Sequence, residues 1–159
     1  MIRIEFETGA VLELDLEHLV GADLRGLSLH RALLGKLNLS RANLREVDLR
    51  SASLDEADLS EANLEGARLM AAGLRRATLM RSRLHRAWLN GADLQGADLR
   101  DADLSEADLG GANLSGADLR GADLRTHRLD LAKLDGSVSD ATAKWPSGFD
   151  PVAHGVLIR

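Results

Sequence analysis

The side chains of this chain best suited to chemistry are carboxylates, and they return at a fixed spacing. Asp93, Asp98, Asp103, Asp108, Asp118 and Asp123 each stand immediately before a leucine. Two carboxylates held at a set distance can act as general acid and base. An active site is a singular arrangement, however, and here the same residue fills the same place repeat after repeat. Short Asp and Asn side chains bond readily to nearby backbone at turns, so the column reads as turn structure and the chain as a non-enzyme. The G-G-x-G-x-D-x-U-x nonapeptide of calcium-binding β-rolls is absent. His18, His30, His85, His127 and His154 are dispersed, and His127 falls where a small inward residue is due. With no cysteine and no Gly-rich phosphate loop, neither a zinc site, a disulfide nor a cofactor is expected.

Residues 66–90 hold six arginines, Arg68, Arg75, Arg76, Arg81, Arg83 and Arg86, and no acid. Met70, Met80 and Trp88 lie in the same stretch, with both methionines expected to point outward. Exposed Trp, Met and Arg are what interface centres are made of. Arg68, Met70, Met80 and Trp88 therefore form the candidate partner-binding patch. Plainer arrangements account for the same residues: a ladder of ion pairs with acids on neighbouring strands, and a cation–π stack of Arg68 on Trp88.

The elements that position these groups follow from one period. Leucine stands at every fifth position from Leu14 to Leu134, 25 in unbroken register, usually with alanine two residues earlier and Asp or Asn between. At ~100° per residue a helix would scatter these leucines around its cylinder, and a long flat strand would alternate them between faces. Alanine and leucine, two apart, can both point to one side of a short strand if the next three residues turn a corner. The chain then winds as a coil with Leu and Ala inside, each coil hydrogen-bonded to the next.

A-[DN]-L-x-x, repeated from about Leu12 to Gly136, resembles the pentapeptide-repeat family. The resemblance implies an all-β fold: a right-handed quadrilateral parallel β-helix with four pentapeptides per coil. About six coils at ~4.8 Å each make a rod of about 30 Å. The charges allow an independent test of the period. At 20 residues per coil, Arg68 stacks beside Asp48, Arg75 beside Asp55, Arg76 beside Glu56, Arg81 between Glu61 and Asp101, Arg83 beside Asp103 and Arg86 beside Glu106. A 15-residue coil would put Arg68 beside Arg83, and a 25-residue coil would put Arg75 between Arg50 and Arg100. Opposite charges on adjacent strands favour 20. That register puts Arg68, Met70 and Trp88 on one face and Met80 on another.

The ends carry Phe6, Trp145 and Phe149, three of the four aromatics. Ile2, Ile4 and Phe6 alternate as a strand and Thr8-Gly9 can turn, so residues 1–12 are expected to form a capping hairpin. Residues 13–137 form the repeat region, and the register breaks at Ser139, where leucine is due. Residues 138–159 are then a C-terminal cap in which Trp145 and Phe149 cover the last coil while Pro146 and Pro151 stop strand continuation. The segment T-A-K-W-P-S-G-F-D-P-V-A-H-G, Thr142 to Gly155, resembles a T-x-[WF]-P-x-G-F-x-P tail found on many bacterial pentapeptide-repeat proteins. The same apolar residues offer a homodimer surface, so the chain is expected to be a monomer or a homodimer through this tail.

A net charge of -5 argues against direct nucleic-acid binding or an anionic membrane surface. No stretch approaches the ~20 apolar residues of a membrane helix, and the opening residues do not read as a secretory signal, so the cytoplasm is the expected location. The expected function is non-catalytic binding of a protein partner. The alternative comes from the resemblance: some members mimic B-DNA, bind type II topoisomerase (gyrase) and protect it from quinolones or toxins. B-DNA carries one charge per ~1.7 Å. Here residues 1–65 hold thirteen acids and seven bases, residues 91–136 ten acids and five bases, and the arginine belt lies between them.

Overall fold

The computed structural model describes residues 1–159. Its body is a stack of coils in which residue i pairs in parallel with residue i+20. Four columns of such rungs run along the rod: Asp23–Asn43–Asn63–Arg83–Asp103–Asp123, Ser28–Asp48–Arg68–Trp88–Asp108, Leu33–Ser53–Gly73–Asp93–Asn113–Lys133, and Asn38–Asp58–Thr78–Asp98–Asp118–Val138. The 20-residue period favoured by the charge pattern is the one observed.

Most repeats turn their corners in the same way. Leu37 N–H donates to the Leu34 carbonyl (3.2 Å), closing a turn whose third residue, Lys36, has φ 63°. This is type II turn geometry, which normally asks for glycine at that place. Fourteen non-glycine residues nevertheless adopt positive φ, among them Arg41, Glu56, Arg76 and Glu106. The left-handed conformation is costly for L-residues, and here it is over-determined by pairing. It aims the Lys36 N–H at the Asp55 carbonyl of the next coil (3.0 Å) and the Arg41 N–H at that of Ser60 (2.9 Å).

Twenty-four of the 25 register leucines are buried, Leu19 through Leu134, with the run of alanines beside them. The exception is Leu14. Strand β1 (Ile2–Phe6) pairs antiparallel with β2 (Val11–Leu14), opposing Ile2 to Leu14. The hairpin thus extends past residue 12, and Leu14 within it is half-buried, packed against the core from its edge. On its other side β1 lies antiparallel to β3 (Ala32–Leu33), and Phe6 packs against the core. An antiparallel strand there occupies the edge that a further parallel coil would need.

The C-terminal end departs from expectation in three respects. His127 is not inward. It is exposed and pairs with Asp108 at a spacing of 19, while Thr126 takes the inward place. Arg128 turns left-handed (φ 54°) and a short 3-10 turn over Leu129–Leu131 restores the register. Burying a hydroxyl is less costly than burying an imidazole. Second, the sequence break at Ser139 is not a structural break. Ser137 and Ser139 occupy the alanine and leucine places, both fully buried, and Val138 continues its column. Third, the tail does more than cover. After Trp145 and Phe149, which stack at 5.5 Å and pack on the core, β5 (Leu157–Ile158) adds a parallel rung to β4 (Val138–Ser139). Pro146 and Pro151 lie in the excursion before β5, so they delay the ladder without ending it.

Ser139 Oγ is buried with no partner, unlike Ser137 Oγ, which donates to the Leu134 carbonyl at 2.7 Å. A buried unsatisfied hydroxyl destabilises by about 1–3 kcal/mol, so Ser139→Ala should stabilise the protein by about 1 kcal/mol in urea denaturation, and Ser137→Ala should not. Removing residues 140–159 uncovers the last leucines and a strand edge. The truncated protein should aggregate, as read by light scattering, and a soluble truncation with an unchanged melt would show that the tail does not protect the end.

Candidate protein-binding surface

The outward residues of each repeat flank the inward leucine, one before it and one after, and both lie on the same face. Backbone accounting explains why the first is usually Asp or Asn. In the Leu44 repeat, for instance, the N–H groups of Ala42, Asn43, Leu44 and Glu46 all donate to backbone carbonyls. The fifth, that of Arg45 after the leucine, has no backbone acceptor and donates to Asn43 Oδ1 (3.4 Å). The same bond joins Ser60 to Asp58, Glu65 to Asn63, Ser105 to Asp103 and Ser115 to Asn113. The Asp/Asn column is thus a backbone cap repeated along the rod, in keeping with unmet N–H groups being disfavoured.

Where arginine follows the leucine, the same aspartate also accepts from its guanidinium. Arg50 donates Nε to Asp48 Oδ1 (2.8 Å) and a terminal nitrogen to Oδ2 (2.6 Å), and Asp23–Arg25, Asp98–Arg100, Asp118–Arg120 and Asp123–Arg125 repeat the fork. Hydrogen bonding from these arginines holds Asp23 and Asp48 down at about 2, and lowers Asp98, Asp118 and Asp123.

Five successive repeats lack the aspartate or asparagine. Between residues 23 and 123 the longest run without it is Arg68, Gly73, Thr78, Arg83 and Trp88, one whole coil and one rung more. At Gly73 a neighbour compensates: Asp55 Oδ1 reaches across from the adjacent coil to the Arg75 N–H (2.9 Å). A Cβ at position 73 would sit 2.9 Å from that oxygen, so the glycine makes room for it. The N–H groups of Met70, Met80, His85 and Asn90 have no hydrogen-bond acceptor in the chain. This run was legible in the sequence as a loss of Asp/Asn before leucine, but its meaning needed the backbone accounting.

The expected ion-pair ladder forms in part. Lys36–Glu56 (3.9 Å), Arg41–Glu61 (3.4 Å), Arg81–Asp101 (3.9 Å) and Arg86–Glu106 (2.7 Å) are rungs of it. Arg83 turns to Glu65 (3.6 Å) instead of Asp103, whose Oδ1 is taken by Ser105, and Arg75 pairs with Asp93 (2.5 Å). Arg68 and Arg76 have no carboxylate within 4.0 Å. Arg68 stacks on Asp48 as a rung, but Arg50, within the same repeat as Asp48, occupies both of its oxygens. The short-range fork wins because its arginine needs no neighbouring coil to reach the acid.

Of the four candidate patch residues, three come together. Arg68 and Trp88 are adjacent rungs, and Met70 follows Arg68 across Leu69. Trp88 is 54% exposed, Arg68 is exposed and Met70 half-buried. Met80 belongs to the Thr78 column on another face. Trp88 takes part in neither of the aromatic stacks, Trp145–Phe149 and Phe149–His154. A shallow pocket of about 210 Å³ opens beside its indole, lined by Arg86, Glu106, Asp108 and His127. No three His, Asp or Glu side chains are grouped to hold a metal ion, and no helix is long and apolar enough to cross a membrane.

The model of pentapeptide repeats matches residues 38–76, 57–96 and 97–136, with eight copies. Among solved structures, the chain is similar to the pentapeptide repeat protein Rfr23 from the cyanobacterium Cyanothece 51142, with 39% identity, a TM-score of 0.58 and coverage of 59% of this chain and 64% of that one. The match thus spans less than two thirds of Rfr23. It is also similar to alr5209, a pentapeptide repeat protein from Nostoc Pcc 7120, with 31% identity, a TM-score of 0.51 and coverage of 77% and 84%. QnrB1, a plasmid-mediated fluoroquinolone resistance protein, aligns at 17% identity and a TM-score of 0.49 over 92% and 86%. No curated protein sequence matches.

The forks should leave a signature in acid. A carboxyl held at about 2 in the fold, as at Asp23, Asp48 and Asp108, takes up its proton later than the same carboxyl at ~3.9 in the unfolded chain. The unfolded state therefore binds protons first as pH falls, and stability contributed above about pH 4 is lost progressively down to about pH 2. Thermal melts should be flat from neutral pH to about 5 and fall steeply below 4. Asp48→Asn, which keeps the bond to the backbone, should lessen that fall, and an unchanged acid slope would show that the fork contributes nothing.

Proposed function

This chain belongs to the pentapeptide-repeat family, and we propose that it is a non-catalytic rod that presents a binding surface to a protein partner through the face bearing Arg68, Met70 and Trp88. The reading takes the coil as right-handed and quadrilateral, as in the family, and the protein as cytoplasmic. One observation carries it. For a full coil the sequence gives up the residue that caps its own backbone, and in that coil and the next rung it places an arginine without a carboxylate and a tryptophan 54% exposed. Departures from a structural rule that bring no structural gain mark functional sites. A large amphipathic ring beside an uncompensated cation is interface chemistry. The absence of enzymatic function is supported by the carboxylates themselves: the repeated aspartates are committed to backbone N–H groups and to their own arginines.

The same commitment weighs against the DNA-mimic alternative. A mimic needs free acids in a continuous array, and Asp98, Asp118 and Asp123 are each neutralised by a bidentate arginine. Self-association, within this proposal, would use the tail, where Val152, Leu157 and Ile158 are exposed.

Affinity capture from the native host lysate with wild type and Trp88→Ala tests the proposal. Trp88 points outward, so the variant should melt like wild type yet lose partner capture by a hot-spot amount, ~2 kcal/mol or more. Unchanged capture would clear this face. Protection of gyrase from a quinolone, abolished by Asp98→Lys and Asp118→Lys, would establish the alternative instead.

A further inference from the structure

The Arg68 repeat is a fork with its acid removed. In the Asp48 repeat, one carboxylate bridges two donors: the N–H of the residue after the leucine, Arg50 (3.2 Å), and a guanidinium. In the next rung of the same column the acid is replaced by Arg68, and both donors are left open. The Met70 N–H has no acceptor in the chain, and the Arg68 guanidinium has no carboxylate within 4.0 Å. No other exposed arginine combines the two. Arg83 has Glu65, and the N–H of Arg75, which precedes the unpaired Arg76, is taken by Asp55.

We infer that this rung is a receptor for a carboxylate of the partner, an aspartate or glutamate side chain that pairs with Arg68 and accepts from the Met70 N–H, with an apolar neighbour resting on Trp88. The inference rests on the binding face proposed above and names the chemistry of what it takes: an acidic, apolar-flanked protein segment. Charge-assisted bonds to a carboxylate favour it. The column also limits it to an isolated acid. Asp48 lies one rung to one side of Arg68 and Asp108 one rung beyond Trp88, the first forked by Arg50 and the second by Arg128. The arginines on either side, Arg50 and Arg128, are thus already spent on their own acids, so a continuous polyanion such as a nucleic acid would find no second free cation along the column, whereas a single carboxylate needs only Arg68.

The test uses the full chain carrying Trp145→Phe, so that Trp88 is the only tryptophan, and three short acetylated and amidated peptides of leucine alternating with aspartate, asparagine or lysine. Binding is read from Trp88 fluorescence and from the backbone amide resonances of Met70 and Asn90. The aspartate peptide should bind about ten-fold or more tighter than the other two, weaken with added salt, and move the Met70 amide downfield, as a new charge-assisted bond requires. Arg68→Asn should abolish this preference while leaving the melt unchanged or raised, because asparagine restores the bond to the Met70 N–H. Arg76→Gln, at another arginine of the belt without a carboxylate partner, should change nothing. An aspartate peptide that binds no better than its lysine or asparagine counterpart, or a preference that survives Arg68→Asn, overturns the carboxylate receptor while the Trp88 face stands. Equal weakening by Arg68→Asn and Arg76→Gln overturns it in favour of diffuse electrostatics, and tighter binding of duplex DNA than of the aspartate peptide overturns it in favour of a nucleic acid. Loss of all peptide binding in Trp88→Ala identifies the face itself. Peptide binding that is indifferent to Trp88→Ala refutes the face, and the carboxylate receptor with it.

Discussion

Burial of one leucine in every five residues, against the leucines one coil away, is the interaction on which this molecule depends. Leu24 through Leu124 are almost wholly excluded from water, and each such burial is worth roughly 1.5–3 kcal/mol before chain entropy is set against it. With the leucine fixed inward, the residues on either side of it must face outward and the next two must form a corner. The corner conformation is forced on arginines, glutamates and a lysine that would not choose it, because only that conformation turns the N–H toward the next coil. Local preference yields here to a pairing that repeats along the whole rod.

The same constraint leaves one backbone N–H per repeat without a partner, and the use of that donor organises the surface. Over most of the rod it is capped by Asp or Asn, and the capping acid is often held in turn by its own arginine. Much of the chain's negative charge is thereby spent internally, so formal charge is a poor guide to the field a partner would meet. In the arginine belt the cap is withdrawn over a whole coil, and the surface becomes one of open donors, unpaired guanidinium and exposed indole. The face bearing Arg68 and Trp88 is distinguished less by its residue types than by what the surrounding repeats do at the same places.

The two ends solve a different problem by different means. At the first coil an antiparallel hairpin occupies the edge, reversing chain direction so that another parallel coil cannot continue the ladder. At the last coil the chain makes an excursion carrying Trp145 and Phe149 over the core and then returns to add Leu157–Ile158 as a further rung. Serine at the leucine place therefore marks a weakening of the stack at its end and not the end of the coil.

The sequence alone determined the coil. Period five with leucine excludes helix and flat strand, and the meeting of Arg68 with Arg83 at 15 residues, and of Arg75 with Arg50 and Arg100 at 25, favours 20 residues per turn, since opposite charges on neighbouring strands attract and like charges repel. It also placed Arg68, Met70 and Trp88 on one face, because the register fixes direction. The sequence could not decide which of several reachable acids an arginine would take. Asp48 is as near in register to Arg68 as Glu106 is to Arg86, yet it is already held by Arg50, and that competition is settled by side-chain geometry within a repeat. Nor could it show where the register slips, as at Thr126 and His127, because a one-residue shift changes no pattern until the cost of burying an imidazole is compared with that of a hydroxyl. The open Met70 N–H was likewise decided by tertiary structure, since a donor is seen to lack a partner only once every acceptor around it has been placed.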